Sequence, residues 1–113
     1  MAECLFCRIR DGQIPAKVVH QDDRVVAIED LHPQAPTHVL VIPRKHVGTL
    51  ADASPDDASL VGHMQIVAAG IARERGLLSG FRTVLNNGAG AGQSVWHLHL
   101  HLLGGRPLLW PPG

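Results

Sequence analysis

The sequence carries no net charge, because ten Lys and Arg balance ten Asp and Glu. A basic face for nucleic acid or for an anionic membrane is therefore not expected. No apolar run approaches the roughly 18–20 residues that a membrane helix needs. No charged-then-apolar leader opens the chain either, and a cytoplasmic protein is expected. Internal repeats and low-complexity tracts are missing, and no linker divides the 113 residues, which reads as one domain over 1–113. Cysteine is scarce: Cys4 and Cys7 stand too close together to staple a secreted fold. That spacing suits a metal or redox site in a reducing compartment. What remains is a globular balance, 45% apolar and 18% charged, with two excesses, eight histidines and twelve unevenly spread glycines.

Periodicity predicts helix, three strands, long helix, two strands. Cys4–Asp11 is a short amphipathic helix with Leu5 and Ile9 four apart, closed by Gly12. Lys17–His20 and Arg24–Glu29 are β-branched runs around Gln21-Asp22-Asp23 and read as a hairpin, with Thr37–Ile42 a third strand ended by Pro43. Ser54 is an N-cap with Pro55 at the first helical position and acids in the first turn. Leu60, Met64, Val67 and Ile71 then make one buried stripe that ends near Gly76. Phe81–Asn86 and Trp96–Leu103 are the last two strands. The expected fold class is α+β, an antiparallel β-meander sheet of about five strands with one long and one short helix.

The chemistry concentrates at the end. In His97-Leu98-His99-Leu100-His101-Leu102-Leu103, strand alternation puts three histidines on one face, in Cα steps of roughly 6.6 Å, and leucines on the other. The leucines fix the strand against the core, and the histidines form a polar row on the open face of the sheet. Just upstream, Asn86 to Ser94 has glycine at positions 88, 90 and 92. Such spacing lets backbone N–H groups approach an anion, or simply makes a flexible connection. It matches neither a Walker A loop nor a dinucleotide fingerprint. Near neutral pH an imidazole can be base, acid, ligand or nucleophile, and attack on phosphorus gives a phosphoramidate that water later cleaves.

Cys4-Leu5-Phe6-Cys7 brings both sulfurs within reach of one ion, and His46 and His97 would complete a tetrahedral zinc site. Two inert buried thiols, or a redox pair, are the other readings. The redox pair lacks the βαβ frame it ordinarily needs.

These residues resemble the histidine-triad (HIT) superfamily, whose motif is His-x-His-x-His followed by apolar positions, met by His97 to Leu103. The chain looks most like the Hint branch of purine-nucleotide-binding phosphoramidate hydrolases. The likeness runs from Ile14-Pro15 and Asp22-Asp23 through Asp30-Leu31-His32-Pro33-Gln34-Ala35-Pro36-Thr37-His38, Val41-Ile42-Pro43 and Gly92-Gln93-Ser94-Val95. It closes with Leu103-Gly104-Gly105-Arg106 and Trp110-Pro111-Pro112-Gly113. The resemblance implies that His99 attacks the α-phosphorus and carries a nucleotidyl-imidazole, that His101 holds phosphate oxygens, and that Ser94 helps protonate the departing amine. It implies that Asn86, Gly92 and Gln93 line the phosphate side, that Asp30 binds the ribose hydroxyls beside Leu31, and that His38 supports the triad. Cys4, Cys7, His46 and His97 match structural zinc ligands of some triad proteins, and no organic cofactor is implied. The resemblance further implies a homodimer, with Trp110 close to the partner's site. His101 stands where the hexose-1-phosphate uridylyltransferase branch carries Gln, which argues against a hexose transferase. The chain also stops soon after the triad, without the added segment of the dinucleoside-polyphosphate branch.

Three hypotheses follow. The chain hydrolyses nucleoside 5′-phosphoramidates; or it is a non-catalytic purine-nucleotide sensor or scaffold; or it is a metalloprotein whose His97, His99 and His101 bind one ion.

Overall fold

The computed structural model describes residues 4–113. Strands β1 (Val18–Gln21), β2 (Val25–Glu29), β3 (Thr37–Pro43), β4 (Phe81–Leu85) and β5 (Leu100–Gly104) form one sheet, with helices α1 (Leu5–Arg10) and α2 (Ala58–Glu74) on its two faces. Every pairing is antiparallel, as expected. The spatial order β1-β2-β3-β5-β4 departs from a simple meander in one place: β5 enters between β3 and β4 and leaves β4 at the edge. The histidine-bearing strand is therefore central.

Both faces of the middle strands are buried, which explains why β3 runs apolar without alternation from Val39 to Pro43. On one face Val25, Ala27, Val39, Val41, Leu98, Leu100 and Leu102 pack on Met64, Val67, Ala68, Ile71 and Ala72 of α2. On the other, Val26, Ile28, Leu40 and Ile42 pack on Phe6 of α1. The short helix thus turns Phe6, and not the expected Leu5, to the sheet: Leu5 is exposed and Ile9 is half-buried beside the cluster. Residues three apart share a helix face as readily as residues four apart, and here the larger ring takes the core.

The start of α2 forms as expected around Ser54, whose Oγ accepts from the Asp56 amide at 3.2 Å while Asp57 Oδ2 accepts from the Ser54 amide at 2.9 Å. One tight turn precedes the helix proper, over Pro55–Asp57. The β1–β2 turn is held by Asp22, whose Oδ1 accepts from the Arg24 and Val25 amides while Oδ2 lies 2.9 Å from His20 Nε2 and 2.7 Å from His63 Nε2 of α2. Burial alone would raise this carboxyl. The two imidazoles and two amides together hold it well below the usual carboxylate range.

The last strand is shorter than expected. Pairing runs from Val41↔Leu100 to Thr37↔Gly104, and Trp96 to His99 stand outside the ladder. The reason is Pro43, which would face Leu98 in a longer ladder and has no N–H to donate. The Leu98 amide instead donates to the Val47 carbonyl at 2.6 Å.

Candidate functional site

The alternation survives this early end of the ladder. Leu98, Leu100 and Leu102 enter the α2 core, and the three histidines occupy the opposite face. That face is not open, contrary to the expectation: α1 covers it, leaving His97 and His99 0% and 8% exposed and His101 half-buried. Phe6 meets the His99 ring edge-on, with centroids 4.8 Å apart at 79°, and the His97 ring at 6.1 Å and 74°.

Each imidazole has a partner that decides which nitrogen keeps a lone pair. His97 Nε2 lies 2.7 Å from the Pro43 carbonyl. A carbonyl only accepts, so Nε2 carries the proton and Nδ1 is free. His99 is arranged the other way: its Nδ1 lies 2.8 Å from the His97 carbonyl, so Nδ1–H donates and Nε2 keeps the lone pair. His101 is set through a relay. The Gln34 amide donates to His38 Nδ1 at 3.0 Å, which puts the His38 proton on Nε2. That group donates to His101 Nδ1 at 2.9 Å, leaving His101 with its own proton on Nε2. Asp30 Oδ2 stands 3.4 Å from His38 Nε2, and Asp30 Oδ1 accepts from the His32 amide at 2.7 Å. His99 and His101, with ring centroids 5.0 Å apart, therefore carry a lone pair and an N–H donor on neighbouring rings.

Burial keeps these rings neutral. Desolvation pushes His101 down to about 4, helped by the neighbouring His99 and His38. His97 is likewise pushed to about 4 by desolvation, partly opposed by its bond to the Pro43 carbonyl. His99 and His38 are lowered for the same first reason, with Asp30 acting the other way on both.

Cys4, Cys7, His46 and His97 converge at the N-terminal turn of α1. The His97 Nδ1 lone pair lies 3.3 Å from Cys4 Sγ, 3.4 Å from Cys7 Sγ and 3.1 Å from His46 Nδ1. His46 Nδ1 is 3.5 and 3.3 Å from the same two sulfurs. A tetrahedral zinc with Zn–N near ~2.0 Å and Zn–S near ~2.3 Å has ligand–ligand edges of about 3.3–3.8 Å, so the set fits such an ion after small adjustments. The Pro43 carbonyl supplies the outer hydrogen bond that a ligating histidine ordinarily has. Burial and then the adjacent Cys4 thiol push the Cys7 thiol up, a repulsion that a dication between the sulfurs would relieve. The donor set is that of a structural zinc site. The expectation of one ion shared by His97, His99 and His101 is corrected: among the described residues the metal-capable groups are Cys4-Cys7-His46-His97 and Asp30-His38-His101. The rings turn to different partners, so the row divides.

The glycine loop follows β4. Gly88 and Gly92 adopt φ of +90°, a region that favours glycine, on either side of a tight turn over Ala89–Ala91. Gln93 is buried and its carboxamide is committed inside the loop. Oε1 accepts from the Gly88 amide at 2.8 Å, and Nε2 donates to the Gly48 and Val95 carbonyls at 2.8 and 3.0 Å. Its side chain therefore braces the loop that the resemblance places on the phosphate side. Asn86 is half-buried after β4, Gly92 and Ser94 are exposed, and Leu31 is 88% exposed with little to pack on. Ser94 also borders a cavity of about 900 Å³ lined by Cys4, Cys7, His46 and Trp96.

The residue-level reading did not single out Phe6 or the Gln34 amide. The first was hidden in the cysteine motif. The second acts through its backbone, which side-chain identity does not disclose.

A family profile described as "Scavenger mRNA decapping enzyme C-term binding" matches residues 3–106. The chain is 50% identical over 114 residues to an uncharacterized HIT-like protein of Synechocystis sp., covering 100% of both. It superposes on the crystal structure of a HIT family hydrolase from Legionella pneumophila with a TM-score of 0.96 and 50% identity, covering 98% of this chain and 100% of that one. A Zn-bound histidine triad family protein from Mycobacterium smegmatis is 37% identical, with a TM-score of 0.81, over 91% of this chain and 75% of its own.

Proposed function

The chain belongs to the histidine-triad superfamily, and from that premise we propose that it is a Hint-type hydrolase that binds purine nucleotides and cleaves nucleoside 5′-phosphoramidates at the P–N bond. What carries the reading is the pair of opposite tautomers on adjacent rings, a lone pair at His99 Nε2 beside a donor at His101 Nε2. The hydrolase name of the Legionella protein supports the reaction type.

His99 Nε2 attacks the α-phosphorus, and the P–N bond breaks as the amine leaves with a proton that Ser94 relays from solvent; the attacking water of the second step returns one proton to solvent. The new N–P bond makes the His99 ring cationic. Its Nδ1–H bond to the His97 carbonyl strengthens as that charge develops, which stabilises the transition state more than the ground state. His101 Nε2–H donates to a non-bridging oxygen, and the relay from the Gln34 amide through His38 keeps its proton there. Water then attacks the same phosphorus on the face opposite His99. The N–P bond breaks, the nucleoside monophosphate leaves and His99 returns neutral. Because burial holds His99 below its ordinary value, the lone pair is available at pH 7.

In this reading Asp30 accepts from the ribose hydroxyls, with Leu31 beside the nucleoside. Asn86, Gly92 and the loop braced by Gln93 face the phosphate. Cys4, Cys7, His46 and His97 would hold zinc, which would stabilise the fold without touching the reacting atoms. A homodimer is supported by the edge position of β4 and by exposed Phe81, Leu109 and Trp110 beside it, with Arg82 donating to the Leu109 carbonyl at 2.9 Å. Among the described residues no helix is long and apolar enough to cross a membrane.

The test is hydrolysis of adenosine 5′-phosphoramidate by wild type and by His99→Ala, with circular dichroism of both. Release of AMP by the wild type and a loss of at least about 10³-fold in the folded variant are expected. A folded wild type that binds AMP and releases none from the substrate would replace the hydrolase by a nucleotide sensor.

A further inference from the structure

We infer that Phe6 is the positioning residue of the nucleophile, and that the Cys4-Cys7-His46-His97 cluster reaches the chemistry through that ring. The inference rests on His99 being the nucleophile, as proposed above.

His99 lies just outside the strand ladder, so β-pairing does not fix its backbone. Its ring has one hydrogen bond, at Nδ1, and a single bond leaves the plane free to swing about that point. Two rings oppose the swing, His101 with centroids 5.0 Å apart at 57° and Phe6 with centroids 4.8 Å apart at 79°, and the Phe6 pair is the closer and the nearer to perpendicular. An edge-to-face pair has a preferred geometry that an aliphatic side chain of similar bulk does not reproduce.

Phe6 packs on Val26, Ile28, Leu40 and Ile42 of the sheet, and the cluster fixes the helical turn that carries it. Phe6 stands between the two ligating cysteines, on a helix of six residues that is too short to persist by itself. Cys4 is the N-cap of that helix, and its Sγ accepts from the Cys7 amide at 3.3 Å. At the other end Arg10 donates to the Arg44 carbonyl at 2.7 Å, which tethers the C-terminal turn. Opening the cluster therefore loosens the N-terminal turn and lets the Phe6 ring shift on the sheet, while the far end stays anchored. A direct route through the His97 backbone is weaker. That residue keeps two further ties, Nε2–H to the Pro43 carbonyl and the adjoining Leu98 amide to the Val47 carbonyl at 2.6 Å. The carbonyl that receives His99 Nδ1–H is thereby braced whether or not the sulfurs hold an ion.

Phe6→Leu keeps an apolar, helix-compatible side chain and removes the ring. In zinc-loaded protein we expect unchanged zinc content, KM within about twofold of wild type and kcat lower by about tenfold. An unchanged kcat overturns the inference, and so does a raised KM with kcat held, which would make Phe6 a wall of the substrate pocket. Chelator-stripped wild type should fall to the kcat of Phe6→Leu, and stripping Phe6→Leu should cost nothing more. Losses that multiply overturn the route through Phe6. Should stripping unfold the chain, the loaded comparison decides alone. The resting protein supplies a readout that needs no turnover, the His99 Cε1–H resonance identified by its absence from His99→Ala. It should broaden in loaded Phe6→Leu as the His99 ring samples more than one plane, an effect that loss of the Phe6 ring current by itself does not produce, while the His101 signal stays sharp. A wild type that hydrolyses nothing fails the proposed reaction and leaves this line width to be measured. A His99 signal that stays as sharp as in wild type overturns the positioning role.

Discussion

At His97 the Pro43 carbonyl takes the Nε2 proton, and Nδ1 faces two sulfurs and a second imidazole. At His99, two residues on, the His97 carbonyl takes the Nδ1 proton, and Nε2 is the free nitrogen. The side chain, sheet face and cause of lowered basicity are the same, namely burial. Only the position of one carbonyl differs, and that difference turns the free nitrogen of His97 to the cysteine cluster and, in the proposed reaction, leaves that of His99 for the phosphorus. A row of identical residues is thus divided into roles by backbone acceptors, at the cost of one hydrogen bond each.

The strongest way to break this comparison acts on the metal end. Cys4→Ser combined with Cys7→Ser should take zinc from about one per chain to none and lower the melting temperature by at least about 10 °C, because a closed four-ligand site contributes folding energy. Metal analysis beside a thermal melt checks both. A metal-free wild type of equal stability would leave the cysteines as inert core thiols.

A smaller effect is expected where the relay sets His101. His38→Phe keeps a ring and removes the Nε2–H that holds the His101 tautomer. The kcat for phosphoramidate hydrolysis should fall about tenfold, the usual size for losing an outer hydrogen bond of this kind, with the fold retained. A variant as active as wild type would show that His101 finds its donor form unaided.

The smallest effect is on pH dependence. His101 is held at about 4 in the folded chain, below the ordinary histidine value of roughly 6.5. Between those values the unfolded chain binds a proton that the folded chain refuses, so stability is complete above about pH 6.5 and declines as pH falls towards 4. Urea unfolding across that range should show the midpoint dropping on the acid side and flat above it. A midpoint that rises on acidification would mean that the rings gain a partner in the folded state.

Much of the architecture was legible because it follows from local geometry. The period of two in His97 to Leu103 placed leucines and histidines on opposite faces even where the ladder stops, since alternation belongs to extended backbone and not to pairing. Ser54 and Pro55 announced the start of α2 through capping chemistry, which needs only neighbours in the chain. Other features were not legible. The length of β5 depended on Pro43 facing it across the sheet, and strand order depended on β5 choosing the gap between β3 and β4. The face of α1 could not be chosen from Leu5, Phe6 and Ile9 alone, because two helical stripes were open to it. The resemblance placed Gln93 on the phosphate side, and that its carboxamide is engaged by Gly88, Gly48 and Val95 could not be read from the loop sequence.

By itself the sequence determined the fold class, the grouping of the histidines on one face and the pairing of a two-cysteine turn with distant imidazoles as a candidate zinc site. Each of these rests on covalent spacing, periodicity or residue type. Tertiary structure alone decided which nitrogen of each ring is free, that Phe6 packs against His99, and that His97 and His101 fall in different clusters. Those outcomes depend on carbonyls and rings brought together from far along the chain, as when Pro43 meets His97, and such meetings exist only once the sheet has formed.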